Sequence, residues 1–195
     1  MAEKVRIVDV RGHVTMVHTR IPFRYGAATL VHSPHLLLEA EVEVGGVRAV
    51  GMAADTLPPG WFDKSPGKPY ERQVREQIQV IRWALEAAGE TAGTAFAVWR
   101  DAEAEVARRA RSAGLPALLA GFGASFVERL LWDALGRASG LSFADLVRAN
   151  AFGVDLGALD PALAGADPAQ SLAEGGPLAH VWARHTVGLA DPITD

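Results

Sequence analysis

The spacing of apolar residues changes once along this 195-residue chain, and the change fixes the class of fold open to it. Up to about residue 55, β-branched and apolar residues recur with polar ones between them, and the segments end at Gly and Pro, as in strands with one covered face. From Tyr70 onward the apolar residues recur every three or four positions, which is the period of an amphipathic helix. The alternation is plainest around Leu38–Val44, where Glu39, Glu41 and Glu43 share one face and Leu38, Ala40, Val42 and Val44 the other. Such a sheet has one wet face and one that must be covered, and the helical segments that follow are there to cover it. The expected class is α+β: a three-stranded antiparallel meander packed on a bundle of three to four helices.

The strands are expected over residues 6–17, 35–44 and 47–54. Gly12 is a candidate bulge, residues 21–26 a loop, and Gly45-Gly46 a two-residue hairpin turn. A Pro- and Gly-rich segment, 57–69, leads to a helix over 70–88 with Val74, Ile78, Ile81 and Leu85 on its apolar face. A second helix over 95–113 stops at Gly114-Leu115-Pro116. A third, over 124–138, buries Phe126, Leu130, Leu131, Ala134 and Leu135 and stops at Gly140. Ser142-Phe143-Ala144-Asp145 reads as a capping box that opens a short fourth helix. Residues 150–177 have no sustained period, and 180–189 form a lone strand candidate with an unpaired edge. The expected division is a domain over 1–150, an irregular linker over 151–179, and a first strand of an incomplete (β/α) barrel over 180–195.

Size and charge remove several functions. A complete (β/α)₈ barrel needs ~250 residues, so 195 do not hold one. A net charge of −4, with no basic stripe, argues against a nucleic-acid or anionic-membrane partner. The absence of cysteine removes disulfides, thiol nucleophiles and Cys-ligated metals. No apolar run reaches the ~18 residues of a membrane span, and the first residues lack the pattern of a signal peptide. The expected location is cytoplasmic.

Few side chains suggest chemistry by themselves. His32 and His35 flank Ser33-Pro34 in an expected loop, without the third ligand that a metal site requires. His13 and His18 lie an odd number of residues apart, so on a regular strand they diverge, as do His180 and His185. Gly121-Phe122-Gly123 precedes a helix but lacks the third glycine of a dinucleotide loop and the Lys of a P-loop. It reads as the start of that helix, with Ser125 near the first turn. The glutamate row reads as a solvated face. Two loops stand apart, Phe23-Arg24-Tyr25 and Trp61-Phe62, because aromatic and guanidinium groups there suit either a binding surface or packing against the helices.

The order of these segments resembles a known family. A meander, then Pro58, Pro59, Trp61 and Phe62, then helices carrying Phe122-Gly123-Ala124-Ser125-Phe126-Val127-Glu128-Arg129 and Leu131-Trp132-Asp133-Ala134, is similar to the N-terminal capping region of the enolase superfamily. The mandelate racemase/muconate lactonizing branch is the nearest in pattern. Gly140 to Leu146 stand where that branch has the helix leading to its barrel, and Arg184 to Pro192 look like the first barrel strand and its loop.

The resemblance implies Mg²⁺-assisted abstraction of a proton alpha to a carboxylate, as in a racemase, dehydratase or cycloisomerase, with a hydroxy acid or acid sugar as substrate. The family's Lys-x-Lys base has no counterpart, since the lysines are Lys4, Lys64 and Lys68. No catalytic or metal residue is therefore assigned, no cofactor is expected for this chain alone, and it is expected to be inactive in isolation. The resemblance does imply substrate-selecting loops at Phe23, Arg24, Tyr25 and Gly26, and at Asp55, Thr56, Leu57, Trp61 and Phe62. Arg24 would pair with a substrate carboxylate or with a second anionic group, while Tyr25, Trp61 and Phe62 would exclude water. The alternative is a non-catalytic α+β module that binds a ligand or a partner, and an exposed sheet edge would favour a homo-oligomer.

Overall fold

The computed structural model of the chain describes residues 2–26, 28–172, 178–184 and 187. Strands β1 (Val5–Tyr25), β2 (Ala28–Val44) and β3 (Val47–Thr56) form an antiparallel meander in the order β1-β2-β3. Helices α1 (Tyr70–Gly89), α2 (Ala95–Ser112), α3 (Ala117–Ser139) and α4 (Phe143–Arg148) follow, and then three short 3-10 turns. This is the α+β arrangement that the change of period implies.

Leu36, Leu38, Ala40, Val42 and Val44 of β2 are all buried, while Glu39, Glu41 and Glu43 face outward. Arg6 lies 2.9 Å from Glu43, and Arg48 pairs with Glu41, so cross-strand arginines pair with two of the three glutamates. The covered face meets α3, which packs on β3, α1 and α2 together. A helix enclosed on three sides must be apolar nearly all round, and α3 buries Leu119, Phe122, Phe126, Val127, Leu130, Leu131 and Leu135.

Two glycines set how closely these layers approach. A Cβ on Gly51 of β3 would lie 2.1 Å from the Leu130 carbonyl oxygen, and one on Gly123 of α3 would lie 2.6 Å from the backbone of Val80 in α1. α3 begins at Ala117, after Pro116 at its N-cap, rather than at 124. Gly121 and Gly123 lie inside the helix, with Gly123 as the point where α1 crosses it, and Ser125 donates to the Phe122 carbonyl instead of capping. At α4 Ser142 caps the helix, its Oγ accepting the Asp145 N–H at 3.2 Å and donating to the Asp145 carboxylate at 2.6 Å.

The sheet departs from expectation in length. Residues 21–26 do not form a loop: β1 runs on to Tyr25 and β2 begins at Ala28, so a long hairpin replaces it. A register shift between His18 and Phe23 accommodates Pro22 on the edge strand. The bulge lies between Ile7 and Asp9 rather than at Gly12, which pairs regularly with Leu38. His32 and His35 are consequently strand residues, not loop residues. After α4, Asp155, Asp160 and Asp167 each cap one short turn. Of the strand expected over 180–189, residues 180–184 and 187 have no strand pairing, and the others fall outside the described residues.

Candidate functional site

Pairing of β2 with β3 ends at His35 opposite Thr56, and beyond it β1 and β2 continue as a two-stranded arm. At the tip, Gly26 takes φ 53°, a left-handed backbone that glycine adopts without strain. Tyr25 just before it turns back onto the body. Its hydroxyl donates to the Pro59 carbonyl at 2.7 Å, and its ring meets the Trp61 ring edge-on at 5.7 Å. The Phe23 ring lies 5.8 Å from that of Tyr25, tilted by 36°. Partial burial, and then the nearby Tyr70, raise the Tyr25 hydroxyl above its ordinary pKa, so it remains a neutral donor at physiological pH.

The segment that Tyr25 meets is held from below by α1. Gln73 Oε1 accepts the Gly60 N–H at 2.7 Å, Gln73 Nε2 donates to the Lys68 carbonyl at 3.1 Å, and Gln77 Nε2 donates to the Pro58 carbonyl at 3.2 Å. A nearly buried charge cluster completes the fastening: Lys68 pairs with Asp63 and lies 2.8 Å from Glu76. Hydrogen bonds from Lys68 and Ser65 hold the Asp63 carboxyl down at about 2. The bonds to Asp63 and Glu76 in turn raise the Lys68 ammonium above its usual value.

Between the tip and this segment lies an open cavity of about 510 Å³, walled by Tyr25, Gly26, Trp61, Lys64, Pro66 and Gln73 among others. Trp61 is 55% exposed beside it. Arg24, two residues before Gly26, is exposed and has no ion-pair partner among the described residues.

The nine residues expected to form two selecting loops therefore separate. Tyr25, Gly26 and Trp61 line one cavity, Phe23 packs on Tyr25, and Arg24, between them on β1, belongs to the opposite face of the strand. Leu57 is fully buried, its N–H donating to the Pro34 carbonyl and its carbonyl accepting from Tyr70. Phe62 stacks on Phe122 at 4.3 Å and belongs to the core side of the segment. Asp55 and Thr56 end β3, where Asp55 lies 3.3 Å from Arg129 of α3. Trp61 and Phe62, neighbours in sequence, thus serve opposite sides, one toward solvent and one toward the core.

Sequence reasoning missed Lys64 and Gln73 in the cavity wall. A signal for Gln73 did exist, because Gln73 and Gln77 stand one helical turn apart next to a Pro- and Gly-rich segment whose backbone groups need partners. It also missed that His18 and His32 sit opposite each other across the arm, rings 5.9 Å apart.

Among the described residues, no group of three or more His, Asp or Glu side chains is placed to hold a metal ion. No helix among them is long and apolar enough to cross a membrane.

No protein-family profile matches the chain, and no curated protein does. Solved structures that resemble it include a mandelate racemase/muconate lactonizing enzyme-like protein from Rubrobacter xylanophilus, at 23% identity and TM-score 0.47, over 73% of this chain and 33% of that one. Another is an enolase from Bradyrhizobium complexed with magnesium and mandelic acid, at 17% identity and TM-score 0.48, over 75% of this chain and 35% of that one. The chain spans about a third of the length of these proteins, and at these identities the likeness is one of fold.

Proposed function

We propose that the chain is the capping, substrate-selecting portion of a mandelate racemase/muconate lactonizing-type enzyme, and that its β1–β2 arm closes over a small carboxylate. The observation that carries this reading is the junction of Tyr25 with Pro59 and Trp61, which joins the two expected loops around one cavity. Arg24, exposed on the arm and without an ion pair among the described residues, would turn its guanidinium to a carboxylate carried on an apolar or hydroxylated body as the arm closes. Tyr25 and Trp61 exclude water from that contact, which strengthens it. In the parent reaction, proton abstraction alpha to the carboxylate, these residues orient the substrate. The base and the Mg²⁺ ligands are supplied from outside the cavity described here.

The test is titration of the chain with 2-hydroxy acids and acid sugars, following Trp61 by fluorescence in variants whose other tryptophans are replaced by phenylalanine. A lid alone makes only part of the contacts, so binding is expected in the millimolar range and weakened at least about tenfold by Arg24→Ala. Micromolar affinity for the chain by itself would instead favour a self-sufficient binding module. Mg²⁺-dependent deuterium exchange at the alpha carbon by the isolated chain would overturn the reading that it is only a cap.

A further inference from the structure

The two edges of the sheet are treated differently. On β3 the outward backbone groups have partners on α3: Met52 N–H donates to Asp133 at 2.8 Å, and the Ala54 carbonyl accepts from Arg129 at 2.8 Å. On β1, Val5 exchanges both of its bonds with Gly93. From Asp9 to His18 the outer edge of β1 has no such cover among the described residues.

The groups on that edge follow from the pairing. Because the Met52 N–H points away from β2, its partner Glu39 turns its own groups toward β1, where they meet Arg11. Alternate residues of β1, namely Val10, Gly12, Val14, Met16 and His18, must then turn their N–H and C=O groups outward. A bulge at one end, between Ile7 and Asp9, and the register shift after His18 at the other confine this regular edge and place Val14 at its centre. The same stretch carries an apolar patch. Val14 and Met16 lie on the face of Leu36 and Pro34, where the helices, which pack over β3 and β2, do not reach, and they remain 58% and 50% exposed. Neither Pro nor Lys interrupts residues 9–18, although such residues are how exposed edges are usually blunted.

We propose that this edge pairs antiparallel with the same edge of a second copy of the chain, about a two-fold axis at Val14, extending two three-stranded sheets into one of six strands. The sequence is self-complementary in that register. Val14 faces Val14 of the second copy, and Gly12 faces Met16, the missing side chain leaving room for the long one. Val10 faces His18. On the opposite face Arg11 lies across from Val17 and His13 across from Thr15, so no like charges are opposed. The apolar surface of Val14 and Met16 is covered by its own counterpart, as expected of an isologous contact.

The absence of cysteine makes the test direct. Sedimentation velocity of the full chain at about 100 µM is expected to show a dimer, a concentration that populates even a contact of modest size; a monomer there overturns the proposal. Val14→Cys is expected to form an intermolecular disulfide under mild oxidation, since facing residues of a narrow antiparallel pair stand about 5.5 Å apart at Cα, within disulfide range. Val47→Cys, exposed at the far end of the sheet, should cross-link no faster than random collision. Val14→Lys, at an already exposed position, is expected to keep the circular dichroism of the parent and weaken dimerisation by at least about tenfold. A folded Val14→Lys variant that still dimerises, or a dimer in which Val14→Cys cross-links no faster than Val47→Cys, places self-association elsewhere and overturns the proposal.

Discussion

Asp133 of α3 accepts the outward N–H of Met52 at 2.8 Å, a helix side chain closing the edge of a strand. Arg137, one turn further along α3, holds the same carboxylate oxygen at 2.9 Å and keeps it aimed. Met52 is partly exposed, so water replaces a lost partner at modest cost. Asp133→Ala is expected to lower stability by about 1 kcal/mol and Asp133→Asn, which retains an acceptor, by less. A lower denaturation midpoint with unchanged slope in urea would show a loss of stability without a change in the surface exposed on unfolding.

Close contact of the layers at Gly51 and Gly123 makes a second expectation. A methyl group at either position meets backbone rather than a side chain that can turn away. Gly51→Ala and Gly123→Ala should each cost about 3 kcal/mol or more, because a helix must shift to admit the methyl. Gly121, beside Gly123 in α3, has open space around a Cβ, and Gly121→Ala should instead stabilise by about 0.5–1 kcal/mol through helix propensity. The contrast is read by thermal melts of the three variants. Equal effects at 121 and 123 would contradict this packing.

These glycines mark where the sequence was legible and where it was not. Alternation in β2 and the three- and four-residue period of α1 record one-sided burial, a local property, and they identified the layers. Gly121 and Gly123 also look local, as a break before a helix, yet the reason for Gly123 lies in Val80, more than forty residues away. Pro22 hid the arm in the same way, because proline reads as a loop unless the strand is known to be an edge with a shifted register. In the candidate site, residue types drew attention to Tyr25 and Trp61, which the fold brings into ring contact. Nothing in the string Trp61-Phe62 tells which ring turns inward. That is decided by Phe122, which the fold brings to Phe62.

At its tip the arm is fastened by the Tyr25 hydroxyl on Pro59 and by the ring contact of Tyr25 with Trp61. Tyr25→Phe keeps the ring against Trp61 and removes the hydroxyl from Pro59, so a loss of about 1 kcal/mol is expected, together with faster amide exchange at the arm tip. Tyr25→Ala removes both contacts and should also red-shift the Trp61 emission as the indole becomes wetter. An unchanged exchange pattern in Tyr25→Phe would show that the hydroxyl does not hold the tip.

The Lys68–Asp63 pair makes the segment beneath that tip sensitive to acid. The folded state holds the Asp63 carboxyl at about 2, below its ordinary 3.8, chiefly through the Lys68 hydrogen bond. A group with a depressed folded pKa stabilises fully above its unfolded value, so the contribution is present above about pH 4 and is lost as pH falls toward 2. Asp63 is only 6% exposed, and the shift corresponds to stabilisation on the order of 2 kcal/mol. Asp63→Asn should flatten the fall in melting temperature between pH 4 and pH 2. Lys68→Met should produce the larger loss near pH 7, because it leaves Asp63 and Glu76 charged, close to each other and poorly solvated. A parent chain and an Asp63→Asn variant with parallel melting profiles over that range would show that the pair does not fasten the segment.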